Sequence, residues 1–531
     1  MTDGLLHPAL VLIVGALLPA LLRGNARKLA IVALPLVALA LVWQVPDGPV
    51  WQARFLDHTI TPLQGDKLSR LFATIFALMA AGGGLFALSQ PSRVEVPAAF
   101  VYAGSAIGVA LAGDLITVFA FWELMAVGST LVLWSNGRNS SYRAARRYLM
   151  IHLLGGVVLF AGITGHIVQT GSVAFTHMAP DSVAHWLILI GFLVNAGAPP
   201  LSAWLPDAYP EGSWSGTVFL SAFTTKTAVY ALIRGFPGTE LLVWVGLFMV
   251  FYGIGTEMAI NGAAAHAFTH LIYKGLLLMS AGSVLLMTDR RKCSELGGLY
   301  RSMPLTTVCG TIGALAISAF PLTSGFVSKS MIGQAAVDGH LLTVWLLLTA
   351  ASAGVFLHAG IKFPWFVFFQ KDSGLRPAEP PASMQLAMVL FAVLCIAIGV
   401  WSQPLYALLP FPVNYEPYTW AHVLAQLQLL LFSGLAFFVM LPLLKRTPTI
   451  TLDVDWLWRK LLPAAASSVQ AAWRSARQAA VDGLALRVNR SLGSIERRAR
   501  HDARLSNTGS TRSMATWVLV LLLGYLLLYY L

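Results

Sequence analysis

The chain of 531 residues is 57% hydrophobic and only 11% charged, with a mean hydropathy of +0.71, against roughly 25% charged residues in an average soluble chain. That composition excludes a water-soluble globular fold, which has no interior large enough for so much apolar surface. The net charge of +12 is gathered between Lys445 and Arg512 and in short loops beside apolar runs, the pattern of membrane topology and not of nucleic-acid binding.

Charge-free runs of about 18 to 25 residues, each able to cross a hydrocarbon core of ~30 Å, predict fifteen spans. They lie near 6–22, 28–46, 68–88, 97–113, 115–136, 145–169, 185–208, 215–236, 240–260, 263–287, 304–330, 342–369, 384–409, 422–444 and 514–531. The first run has neither a basic flank nor a small-residue cleavage site, and is read as a retained helix. Arg23, Arg27 and Lys28, then Arg138, Arg143, Arg146 and Arg147, are expected on the cytoplasmic side, with the N-terminus outside. Continuing the count puts Arg290, Arg291, Lys292 and Arg301 outside, so the two halves disagree; one more crossing between about Gly235 and Ala265 would put every basic loop on one side, and otherwise the halves have opposed biases.

The fifth span, DLITVFAFWELMAVGSTLVLW, holds Glu123 among aromatic and aliphatic neighbours. Ionising a carboxyl there costs several kcal/mol unless it is paired. In the eighth, FLSAFTTKTAVYALIRG, Lys226 is similarly placed, and a Glu123–Lys226 pair between neighbouring helices is the simplest way to carry both charges. A lone His152 in RRYLMIHLLGG is a weaker candidate, since a membrane histidine can serve only to bond a carbonyl.

Spans seven and eleven contain helix breakers: LVNAGAPPLSAWLPDAYP, with Pro199, Pro200 and Pro206, and ISAFPLTSGFVSKSMIG, with Pro321 and Gly325. Both are expected to be discontinuous, and paired breaks in two halves are the sequence sign of an inverted-repeat transporter. Lys329 follows the second break. His266, His270 and Lys274 stand at i, i+4 and i+8 on one helix face. Imidazole titrates near neutrality and passes protons through either nitrogen, so this row reads as a proton relay; no third ligand is spaced to complete a metal site. Cys293, Cys309 and Cys395 show no metal or disulfide spacing, and no cofactor-binding glycine motif follows a strand, so neither cofactor nor metal is expected. Residues from about Asp453 to Leu505, with Trp456, Trp458, Leu461, Leu462, Val469 and Trp473 among arginines, predict a basic amphipathic helix of ~75 Å lying along a surface.

Four motifs in order, FWE at Glu123, WLPDAYPEGSWSGTVFLSAFTTKTAVY, HAFTHLIYK and FPLTSGFVSKSMI, resemble the antiporter-like subunits shared by respiratory complex I and Mrp-type cation/proton antiporters, with the D-type Mrp subunit the nearest variant. The likeness covers about residues 65 to 445. It implies an all-α polytopic membrane protein of the cell inner membrane, built from inverted five-helix repeats with discontinuous helices. The expected divisions are 1–64 (N-terminal helices), 65–236 (first repeat), 237–370 (second repeat, shortened near 250–262), 371–450 (C-terminal helices), 451–513 (a lateral-type segment) and 514–531 (final helix).

By the same resemblance Glu123 and Lys226 match the charged pair of the first half-channel. His266, His270 and Lys274 match the helix linking the halves, Lys329 matches the terminal lysine of the second broken helix, and Asp207 in WLPDA caps or pairs at the membrane boundary. Two departures stand out. Asn195 occupies a position where many relatives carry lysine, and FMVFYGIGTEMAINGAAAHAF runs together what relatives hold as two helices, so about one helix is missing and Glu257 is left in the join. The expected function is proton translocation within a multisubunit Na⁺ or K⁺/proton antiporter, with other membrane subunits, the bilayer, protons and monovalent cations as partners. The alternatives are the pump subunit of a complex I-like NADH:quinone oxidoreductase and an assembly subunit whose channel is lost.

Overall fold

A computed structural model describes residues 5–240, 242, 255–443, 456, 460–501 and 511–530. It divides into two units, Met1–Ile450 and Thr451–Leu531. Among the described residues eleven helices are long and apolar enough to cross a membrane. Three shorter apolar ones join them, Pro8–Leu21, Glu95–Leu111 and Pro304–Ile317. Fourteen of the fifteen expected spans therefore have a helical counterpart; the other, 240–260, lies largely outside the described residues.

The first unit opens with α1 (Pro8–Gly15), α2 (Leu17–Leu21) and α3 (Gly24–Val42), then an antiparallel hairpin of β1 (Gly48–Phe55) and β2 (His58–Gly65). The hairpin has no counterpart among the expected spans. Its signal was the short polar–apolar alternation WQARF around a turn at Leu56, which adopts a positive φ of 51°. Helices α4 (Lys67–Phe86), α5 (Glu95–Leu111), α6 (Leu115–Trp134), α7 (Asn139–Thr170), α8 (Val183–Ala196), α9 (Trp204–Ala208), α10 (Gly216–Ala222) and α11 (Thr224–Gly235) follow. Next come α12 (Glu257–Thr288), α13 (Pro304–Ile317), α14 (Ser324–Asp338), α15 (Leu342–Val355), α16 (Ala382–Val400), α17 (Gln403–Ala407) and α18 (Trp420–Val439).

Capping residues set the helix starts. Asp66 and Ser69 form a reciprocal capping box at α4, with Asp66 Oδ1 accepting from Ser69 N at 2.7 Å and Ser69 Oγ accepting from Asp66 N at 2.8 Å. The other oxygen of Asp66 pairs with Arg234 at the end of α11. Asp114 caps α6 through Thr117 N at 2.8 Å and also accepts from Thr61 N of β2 at 2.7 Å. One carboxylate thus ties the hairpin to the α5–α6 corner.

Both expected discontinuities are present, and their freed carbonyls are satisfied locally. α8 ends at Gly197, whose φ of 68° is the left-handed cap that favours glycine, and Trp204 Nε1 donates to Val194 O at 2.9 Å. α13 stops at Ile317 and α14 resumes at Ser324; Lys329 Nζ donates to Ile317 O at 2.6 Å and Gln426 Nε2 to Ser318 O at 3.0 Å. Ala319 and Leu322 in this break hold positive φ, 58° and 69°, which costs roughly 1–2 kcal/mol apiece in a residue with a side chain. Gly325 is needed where it stands, because a β-carbon there would lie 1.8 Å from Ala316 O.

The structure resolves the conflict in the charge count. Arg138, before α7, pairs with Asp289, after α12, at 3.6 Å. Arg291 bonds the carbonyls of Pro210 and Gly212. These basic loops share one end of the bundle. At the opposite end Gly238 and Gly255 lie backbone to backbone, so α11 ends where α12 begins. The arginine loops thus share one end, as the positive-inside rule requires, and the extra crossing expected between about Gly235 and Ala265 falls largely outside the described residues.

The second unit holds α19 (Leu462–His501), 40 residues and so ~60 Å long, and α20 (Thr511–Tyr530). Val469 and Trp473 of α19 are exposed within it, as are Val481, Leu484 and Leu492.

Candidate functional site: a polar axis through the bundle

Lys226 lies in the first turn of α11, directly after the interruption at Phe223 that separates it from α10. It is buried, and its Nζ is 3.4 Å from Thr225 Oγ1. The same turn presents Thr224, whose Oγ1 meets Tyr102 OH of α5 at 2.5 Å and Tyr148 OH of α7 at 3.0 Å. Tyr148 stacks on His152 with ring centroids 4.0 Å apart, and Trp204 closes the other side at 4.6 Å. His152 is buried, and its Nδ1 meets Asn195 Oδ1 at 2.7 Å. With that oxygen accepting, Nδ1 carries the hydrogen and Nε2 remains a bare acceptor, enclosed and unbonded. Asn195 therefore holds His152 at the α8 break.

α12 carries the axis onward. Eight residues advance a helix about 80° beyond two full turns, so the row sweeps round as it climbs. His266 faces α14, with Nδ1 3.1 Å from Ser328 Oγ, which also meets Thr269 Oγ1 at 2.9 Å. Lys274 faces the first half, its Nζ 5.4 Å above the Tyr209 ring. His270, between them, is buried, with its ring 5.7 Å from that of His266 and 5.2 Å from that of Tyr273. Lys329 sits at the C-terminal, partially negative end of α13, where an ammonium is favoured. Lys226, His266 and His270 are thus buried and Lys274 and Lys329 partly buried, on helices that adjoin the interruptions.

Glu123 stands apart from this row. Its carboxylate lies in the seam between α6 and α7, where Oε1 would be 1.9 Å from a β-carbon on Gly156. That oxygen accepts no hydrogen bond, and among the described residues no ion pair joins Glu123 to Lys226. The expected direct pair is therefore not made, because the two side chains are carried on different seams. Asp207 pairs at the boundary as the motif implied, gripping Arg147 Nε at 2.6 Å and Nη2 at 2.8 Å. Glu257 is exposed in the first turn of α12.

Three polar groupings escaped the sequence reading. The Tyr102–Thr224–Tyr148 cluster is hidden because tyrosine and threonine are ordinary in membrane helices. His166 Nδ1 meets His185 Nε2 at 2.9 Å, with Asp181 on His185 Nδ1 at 2.8 Å. Glu95 is enclosed with Gln90, Ser135, Ser213 and Ser215. Glu95 stands beside Arg93 just before an apolar run, with nothing in its own segment to mark it.

A sequence profile of the NADH:quinone oxidoreductase/Mrp antiporter transmembrane family matches residues 112–245 and 242–354, a region that contains every member of the axis. The matched stretch, residues 112–354, is similar to that family and makes up a little under half of the chain. The two matches overlap at residues 242–245. It is 28% identical over 393 residues to the probable A/B subunit of a K⁺/H⁺ antiporter of Rhizobium meliloti, covering 62% of this chain and 39% of that protein. It is 24% identical to the D subunit of the Na⁺/H⁺ antiporter of Alkalihalophilus pseudofirmus, covering 68% of this chain and 83% of the relative. The chain thus spans about two fifths of the first relative's length and most of the second's. Among solved structures, a chain of the membrane-bound sulfane sulfur reductase, an archaeal respiratory membrane complex, shares the fold with a TM-score of 0.69 at 21% identity, over 98% of this chain and 99% of that one.

Proposed function

We propose that this chain is the proton-conducting membrane subunit of a multisubunit monovalent cation/proton antiporter, in the role of the D-type Mrp component. The observation that carries the reading is the set of buried Lys226, His266 and His270 with partly buried Lys329, placed beside two interrupted helices. Buried lysines and histidines beside freed backbone carbonyls exchange protons without large movements. Lys226 accepts and releases in the first half, the histidines pass the proton along α12, and Lys329 holds it at the end of α13. Glu123, His152 and Asn195 tune the first half, and Asp207 fixes its boundary through Arg147. The family profile and the antiporter relatives support the same reading. The divisions expected from sequence, with repeats at 65–236 and 237–370, fit this division of labour and are part of the proposal.

The second reading keeps the proton path and replaces cation exchange by a redox partner. It is favoured by likeness over nearly the whole chain to one chain of a respiratory complex. An assembly-only role is disfavoured by a row that is populated in both halves.

The deciding experiment is cation-induced proton movement in inverted vesicles from an antiporter-deficient host expressing the chain with its neighbouring genes, beside Glu123→Ala and Lys226→Ala. Collapse of the pH gradient by Na⁺ or K⁺, lost in both variants at equal expression, is the expected result. Silence of the wild type in an assembled complex removes the antiport reading and leaves redox-driven pumping or assembly.

A further inference from the structure

Glu95 is the first residue of α5, and its side chain is fully enclosed. Four neutral donors converge on it. Gln90 Nε2 reaches Oε1 at 3.0 Å, Ser215 Oγ bonds the same oxygen, and Ser213 Oγ and Ser135 Oγ reach Oε2 at 2.7 and 3.0 Å. These donors come from the turn before α5, the end of α6 and the loop entering α10, so one carboxyl joins three elements of the first half. Among the described residues no charged side chain touches it. The neighbouring guanidiniums, Arg27 and Arg291, are engaged by the backbone carbonyls of Gln90 and Gly212 at 3.3 and 3.4 Å.

Four donors and no cation suit an ionised carboxylate, yet the cluster also accommodates the acid. Ser135 Oγ lies 3.0 Å from Glu95 Oε2 and 2.7 Å from Val132 O. Its single hydrogen therefore has two destinations. When Glu95 is ionised, Ser135 donates to the carboxylate; when Glu95 is protonated, the new O–H donates to Ser135, which turns its own hydrogen to Val132 O. No heavy atom has to move. Ser135 is only partly buried, so it links the enclosed carboxyl to the arginine-rich end of the bundle. On the inner side, Thr217 Oγ1 bonds both Ser213 O and Tyr209 O at 3.1 Å, and the Tyr209 ring carries Lys274 above it. The loop that holds Glu95 is thus joined to the platform of the axis.

We propose that Glu95 is a proton-loading carboxyl at the arginine-rich mouth of the first half, with Ser135 as its two-position hydroxyl. One proton is taken from hydronium at that end, forming the O–H on Oε2 and leaving water. The same proton is later released inward to the amine of Lys274, regenerating the carboxylate and forming an ammonium. This inference rests on the proton-conducting reading above, but its first test does not need transport.

Infrared difference spectra of the assembled complex in lipid, recorded across pH, are expected to contain a carboxylic-acid carbonyl band that is absent in Glu95→Gln and displaced in frequency in Ser135→Ala. Identical spectra in wild type and Glu95→Gln would mean a carboxyl that never changes its protonation state and overturn the proposal. In the vesicle assay, Glu95→Gln at equal assembly and unchanged thermal midpoint is expected to lose at least about tenfold in rate. Glu95→Asp should keep activity with a displaced pH profile. A wild-type rate in Glu95→Gln also overturns the proposal. A silent wild type would remove the antiport reading alone, since the infrared titration still decides whether Glu95 loads.

Discussion

Glu123 owes its position to a glycine. A β-carbon at Gly156 would lie 1.9 Å from Glu123 Oε1, the free end of a flexible side chain, whereas one at Gly162 would meet the backbone of Ile188 and Ala184 at 2.6 and 2.8 Å. Gly156→Ala is therefore expected to leave the bundle folded while moving the carboxylate by an ångström or so, with cation-induced proton movement falling on the order of tenfold to a hundredfold. Gly162→Ala is expected to lower thermal stability in detergent by about 1–3 kcal/mol, since backbone cannot step aside. Equal thermal midpoints for the two variants would mean that the seam is looser than these contacts require. Lys329 invites a third substitution. Lys329→Met keeps the stem and removes the donor to Ile317 O, so an enclosed carbonyl is left bare at a cost of about 1–3 kcal/mol. Transport should fall with it, and a thermal midpoint equal to wild type would show that another donor takes its place.

Helix ends, more than helix interiors, organise the elements. The α13–α14 interruption combines two left-handed residues that are not glycine, one glycine pressed on Ala316 O, and carbonyls satisfied by Lys329 and Gln426. Such strain persists only where surrounding contacts fix it. The α8 interruption reaches the same end differently, through Gly197 and the Trp204 indole. Asp114 is the corresponding device at the hairpin, serving α6 and β2 with one side chain. Asp114→Ala is expected to destabilise the fold by about 1–3 kcal/mol through loss of the cap and exposure of Thr61 N. In limited proteolysis the hairpin between Gly48 and Gly65 should be cut first. Cleavage elsewhere, with the hairpin intact, would argue that the strands hold without this tether.

Across the whole molecule, the Arg138–Asp289 contact and the Gly238–Gly255 contact fix which loops share an end. α7 is 32 residues, ~48 Å, so Ser172 lies opposite Ser140. Native Cys293 is exposed among the basic loops, while Cys309 and Cys395 are buried. A membrane-impermeant maleimide is expected to modify Cys293 and an introduced Ser140→Cys from the same side, the cytoplasmic one by the positive-inside argument. Ser172→Cys should react from the other side. Labelling of Cys293 and Ser140→Cys from opposite sides would reinstate the odd crossing that the charge count first suggested.

The sequence by itself determined the solvent, nearly all the spans, both discontinuous helices and the set of intramembrane lysines and histidines. These depend on local matters: run length against bilayer thickness, proline and glycine at helix breaks, and a four-residue repeat on one face. It also led, through four motifs, to the likeness with the family. What it could not decide is which side chains meet. Glu123 and Lys226 were paired by analogy, yet they occupy different seams, because a glycine 33 residues away draws the carboxylate between α6 and α7. Asn195 read as a lost charge and is the group that orients His152. Glu95 went unmarked because its four donors lie 5, 40, 118 and 120 residues away. Contacts at such separations are set by how helices pack, and no periodicity within a single segment encodes them.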